Sequence, residues 1–112
     1  MEYKAIKPIG IEAATMMLSS KNAALIIDAL LRAVESIEDW HWLQDTCLRF
    51  VDDDDVWIAR TAIICLGHIA RIWGKLDKEK VLDKLAALKA KPELLGHIES
   101  AEDDIYCFLK AR

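Results

Sequence analysis

Apolar residues recur along this chain three and four positions apart, the spacing of a helix buried along one face. No stretch alternates apolar and polar residues with period two, and Asn-Gly and Asp-Gly turns are absent, so no strand is expected. The pattern predicts six helices. The first is short, about 9–18. Ser19, Ser20, Lys21 and Asn22 form a polar break that can cap a second helix, which runs to about Ser36. A third, about 38–50, places Trp40, Leu43, Cys47 and Phe50 on one inner face. Four consecutive carboxylates, Asp52 to Asp55, interrupt the pattern; at a helix N-terminus they meet the positive end of the dipole, and Asp55 can cap. The fourth helix, about 56–73, holds 13 apolar residues in 18 and is the expected buried centre, with Gly74 as its stop. Asp77 is the expected cap of a fifth helix, about 78–90, that buries Val81, Leu82, Leu85 and Leu88. Pro92 suits the first turn of a sixth, about 93–110, with a core stripe of Leu94, Ile98, Ala101, Ile105 and Phe108.

These lengths pair as helix hairpins over 9–36, 38–73 and 78–110, and the second helices end about 37 residues apart, within the period of α-solenoid repeats. A length of 112 residues accommodates one domain, 1–112. With 54% hydrophobic and 30% charged residues, a disordered or low-complexity chain is excluded.

A net charge of −4 disfavours non-specific nucleic-acid binding; the basic stretch 71–91 is the only place for a groove, and no nucleic acid is expected. The longest uninterrupted apolar runs, 23–27 and 62–66, are short of the roughly 20 residues that span a bilayer, so no membrane is expected. The N-terminal residues lack an apolar signal-peptide core. Cys47, Cys65 and Cys107 are odd in number, form no CxxC pair and sit in apolar helical stretches; they are expected to be buried free thiols in a reducing cytoplasm.

Candidate chemistry is sparse. Asp52–Asp55 lacks the glycine and distal glutamate of a calcium loop. His41 with Asp45, and His97 with Glu93, are two-residue helical pairs, too few for a metal site. There is no phosphate loop and no nucleophile elbow. No cofactor, metal or catalytic activity is expected.

The surface pattern says more. On the fourth helix one stripe gathers Trp57, Arg60, Thr61, Ile64, Gly67, His68, Arg71 and Lys75. Tryptophan and arginine together are typical anchors of protein interfaces. The second helix contributes Lys21, Leu25, Asp28, Arg32 and Glu35, and the sixth Gly96, Glu99, Ser100, Asp103 and Cys107. Charge is segregated: residues 35–55 carry eight carboxylates against Arg49, while 71–91 carry seven Lys or Arg against three acids. The acidic stretch, with Trp42 and Trp57 interleaved, could meet a basic partner or be solvated surface.

The phrase Asp55-x-x-Ile58-x-x-x-Ala62-x-x-Cys65-Leu66-Gly67-x-Ile69-Ala70 resembles the second helix of a HEAT repeat. The family's arginine is displaced: Ala59 stands at its usual position and Arg60 one place later. The resemblance is good over about 43–73, weaker over 81–105, and rests on helix-pair length alone over 9–36. It implies an all-α chain, a short α-solenoid of about three HEAT-like antiparallel helix pairs. More narrowly, the chain resembles the small HEAT-like proteins of bacteria. Some of these are immunity proteins of contact-dependent inhibition and related polymorphic toxin systems. That resemblance implies a cytoplasmic, non-catalytic binder of a toxin domain, possibly a nuclease, with a basic surface. Trp57, Arg60, His68 and Arg71 would anchor the partner; Asp52, Asp53, Asp54, Asp55, Asp103, Asp104 and Trp42 would add the acidic and aromatic surround. A generic scaffold or homo-dimerising adaptor is the alternative.

Overall fold

In a computed structural model, residues 7–109 are described. They form α1 (Ile11–Leu18), α2 (Ala23–Ser36), α3 (Trp40–Phe50), α4 (Val56–Trp73), α5 (Lys78–Leu88) and α6 (Leu95–Phe108), with a 3-10 turn, Pro92–Leu94, leading into α6. No strand occurs among the described residues. The expected helices are present, with ends shifted by one or two residues. The fifth stops at Leu88, two residues early, because Lys89 and Lys91 N–H groups turn back onto the carbonyls of Ala86 and Leu88.

Local chemistry sets most boundaries. The Asn22 side chain accepts from Leu25 N–H at 3.2 Å, and that of Asp39 from Trp42 N–H at 3.1 Å. Asp55 Oδ1 accepts from both Trp57 and Ile58 N–H groups. Gly74 stops α4 in the left-handed region, φ +66°, where a side chain would be strained. Asp77 departs from expectation. It stands at the cap position of α5 without using its side chain; instead its N–H donates to Oε1 of the buried Gln44, tying α5 to α3.

α4 lies at the centre, packed on α2, α3 and α6, while α1 covers α2 and α5 covers α6. Ile63, Leu66 and Ile69 of α4 are fully buried among Leu30, Val34, Leu43, Ile98 and Ile105. Each such side chain contributes roughly 1.5–3 kcal/mol by leaving water. Among the described residues α4 is the one helix long and apolar enough to cross a bilayer, with mean hydropathy 1.3 over its 18 residues. No apolar run flags it, because Arg60, Thr61, Gly67 and His68 interrupt the sequence; its apolar face is taken up by the three helices around it.

Gly67 sets the spacing of α4 and α6. A Cβ there would lie 3.2 Å from Ala101 Cα and 3.0 Å from Asp104 Oδ2. Trp73 closes the other side, its indole N–H donating to Val34 O of α2 at 2.9 Å.

Five burial expectations are corrected. Phe108, expected in the core, is 43% exposed; α6 ends there, and the turn at Leu109 brings that residue onto the core instead. Cys107 is exposed because it lies about 200° around α6 from buried Ile105. Trp40 and Phe50 are only partly buried, because the inward face of α3 is turned toward Leu43, Gln44 and Cys47. Leu82 likewise packs at the edge of the core.

Candidate functional site

The side chains singled out from the sequence fall into two groups on the surface of α4 and α6, with several outside both. At the N-terminal end of α4, Trp57 is 63% exposed. The Arg60 guanidinium lies over its ring, 4.9 Å from the centroid. Arg60 is itself held: Nε and Nη2 donate to Glu93 O in the 3-10 turn at 3.4 and 3.3 Å. An exposed indole is thus braced by an arginine that is itself fixed to the 3-10 turn before α6, which restricts its motion. Beside it, Asp53, Asp54, Val56, Ala59, Lys91, Glu93 and Leu94 line a recess of about 100 Å³.

The acidic run does not act as one lobe. Asp55 caps α4, and Asp53 Oδ1 accepts from Asp55 N–H at 2.8 Å, so both carboxylates hold the turn. Asp52 pairs with Lys84 Nζ of α5 at 2.6 Å, and Asp45 with Lys80 at 3.8 Å. The charge segregation along the chain is therefore partly answered within the molecule, acidic α3 and its following turn against basic α5. Asp54 alone of the four stands exposed with no such role.

The second group lies further along. Ile64, His68 and Arg71 of α4 face His97, Ser100, Ala101 and Asp104 of α6 across a recess of about 130 Å³. Burial, and then the charge of Arg71, lower the His68 pKa below the ordinary 6.5, with Asp104 and Glu35 pulling the other way. His68 is thus held neutral where α2, α4 and α6 meet. Asp103, the neighbour of Asp104, is exposed and lines neither recess.

Trp42 joins neither group. It is half-buried and packs against the core. His41 stacks on Trp40 and does not pair with Asp45, which turns to Lys80. No cluster of three or more His, Cys, Asp or Glu side chains among the described residues is placed to hold a metal. The buried Cys65 thiol donates to Leu30 O at 3.6 Å; the adjacent Cys47 thiol and burial push its pKa well above the ordinary thiol value, so Cys65 is not a poised nucleophile.

Sequence reasoning weighed His97 and Glu93 only as a metal pair, did not place them or Lys91 beside α4, and set the α6 stripe about one residue off. The signal was present in the small residues: Gly67 calls for a small partner, and Ala101 is the one α6 offers. Placing Ala101 against α4 brings His97, Ser100 and Asp104 into line with it.

No family model matches the chain, and no curated protein matches it in sequence. Among solved structures, the fold is shared with a chain in the crystal structure of a CDI complex from Cupriavidus taiwanensis LMG 19424. The likeness has a TM-score of 0.84 at 25% identity and covers 96% of each chain. The protein is thus an all-helical chain of the same architecture, over its whole aligned length, as a component of a CDI complex.

Proposed function

We propose that this protein is an immunity protein of a contact-dependent inhibition system. It binds a cognate toxin domain, a nuclease being the class that best fits an acidic protein, and neutralises it by covering the active site or the substrate surface. It works in the cytoplasm, has no catalytic activity of its own and binds neither nucleic acid nor membrane. Its three helix pairs act as HEAT-like units whose second helices, α2, α4 and α6, supply the binding face. The observation that carries this reading is the likeness, over 96% of both chains, to a component of a CDI complex. The braced, exposed Trp57 supports it, because such an anchor is what a protein partner would use.

The test is affinity co-purification of the tagged protein from its native cells at moderate salt, followed by mass spectrometry. A stoichiometric partner with a toxic enzymatic domain is expected. Recovery of the protein alone, or only with itself, would overturn the reading in favour of a homo-oligomerising scaffold. Trp57→Ala should then weaken the captured complex at least about tenfold without altering the fold, since the indole is mostly solvent-exposed. Affinity unchanged in that variant would remove Trp57 from the interface.

A further inference from the structure

The recess between α4 and α6 is better built than a gap between two helices needs to be. Asp104 is half-buried, and its Oδ2 lies close to the α4 backbone, in the space where Gly67 has no Cβ. It forms no ion pair among the described residues. A half-buried carboxylate that is in no ion pair favours a cationic guest. Ser100 and the two imidazoles, His68 and His97, line the same walls and can accept hydrogen bonds when neutral. Arg71, the one cation on the recess, is exposed and free to turn into solvent.

We propose that this recess receives one basic side chain, an arginine or lysine, of the protein partner, with Asp104 as its counter-ion and Ser100 and His68 as further acceptors. The proposal rests on the partner-binding reading above and names the chemistry of one contact within it. At about 130 Å³ the recess holds a single side-chain head group and excludes a helix or a nucleotide. A carboxylate guest would meet the half-buried Asp104 on the recess wall, whereas a cation meets Arg71 only at the exposed rim.

The arrangement also makes the contact pH-dependent. The charges acting on His68 are Arg71 from its own helix, Asp104 from α6 and Glu35 from α2, and His97 of α6 lines the same recess. Protonation of His68 removes an acceptor and adds a second positive charge beside the incoming cation. Binding should therefore weaken as pH falls.

The test needs no partner. The ¹⁵N-labelled protein is titrated with N-acetyl-arginine amide, and with N-acetyl-glutamate amide as the opposite charge, while its amide NMR spectrum is followed. The arginine probe should shift amides over 64–71 and 97–104, with a dissociation constant on the order of 10 mM. The glutamate probe should not. Asp104→Asn should weaken binding about fivefold or more, and Arg71→Gln should strengthen it. The amide spectrum of each variant reports its fold at the same time, and Arg71 lies at the exposed rim, so at least that variant reads cleanly. Lowering the pH from about 7.5 to 5.5 should weaken binding in the parent and less in His68→Gln. Opposite signs for Asp104→Asn and Arg71→Gln would overturn the proposal, as would preference for the glutamate probe. Shifts centred on Asp53 and Asp54, or none at about 100 mM probe, would do the same. Because the probe is a free amino-acid derivative, its failure rejects the recess while leaving the co-purification result standing. Conversely, probe binding without a captured toxin keeps the recess as a cation site and rejects the toxin reading.

Discussion

Two single residues hold positions that their type alone would not indicate. Gln44 is a buried polar side chain on an otherwise apolar face, and it is there because the Asp77 N–H at the start of α5 lacks another acceptor. Gln44→Leu conserves most of the volume but leaves that N–H unpaired, at a cost of roughly 1–3 kcal/mol. A urea midpoint equal to the parent's would show that water replaces the glutamine without loss. His68 makes the second case through linkage. Its folded-state pKa is lowered from 6.5, so as pH falls the unfolded chain takes up this proton first. The stability it supports is fully present above that value. It declines as pH falls through the window between 6.5 and the lowered folded value, and is flat below it. His68→Gln should therefore lose less stability than the parent between about pH 7.5 and 5.5, read from paired urea titrations. Parallel losses in the two proteins would mean that His68 protonates as easily folded as unfolded.

At the scale of elements, the spacing of α4 and α6 is fixed by Gly67 against Ala101. Gly67→Ala gains about 1 kcal/mol of helix propensity and loses part of it to an Ala101 backbone atom only 3.2 Å away, so it should lie near neutral. Gly67→Val has no such offset and must part the helices, costing roughly 1–3 kcal/mol. Valine tolerated as well as alanine in chemical denaturation would show that the helices are free to separate. Helix positions were legible in the sequence because their causes are local: a side-chain cap at Asn22 and Asp55, a left-handed glycine at Gly74, an apolar period of 3.6. What depends on partners distant in the chain was not. Nothing near Asp77 says that Gln44 waits for its N–H, or that Arg60 will reach the carbonyl of Glu93. The α6 stripe was misplaced by one residue for the same reason. Its outward residues are polar on several sides, and only contact with Gly67 decides which side faces α4. At the site, Trp57, Arg60, His68 and Arg71 were readable as a stripe because one helix carries all four. The partial burial of Trp42 was not readable, because a tryptophan beside polar neighbours can still lie down on the core.

For the whole molecule, the relevant quantity is the field left after internal pairing. The chain carries a net charge of −4, yet much of its densest acidic stretch is engaged at home: Asp45 and Asp52 with lysines of α5, Asp53 and Asp55 with backbone N–H groups. Exposed ion pairs of this kind add little to stability, but they fix where negative potential remains. Within the run 52–55 the unengaged carboxylate is Asp54, which shares a recess with Glu93 and Lys91 near the braced Trp57, so an acidic group and the exposed indole coincide at one end of α4. The basic toxin domain proposed above would be drawn toward that end before it makes a specific contact. Asp54→Lys should therefore slow association several-fold at low salt and flatten its dependence on ionic strength, with a smaller effect on dissociation. The same change at Glu12, exposed on α1, alters the net charge equally but lies on a helix packed on α2. Stopped-flow association with the captured toxin domain compares the two. A larger effect at position 54 places the encounter surface at the start of α4. Equal effects would mean that only the total charge matters, and that Trp57 is reached after an unoriented collision.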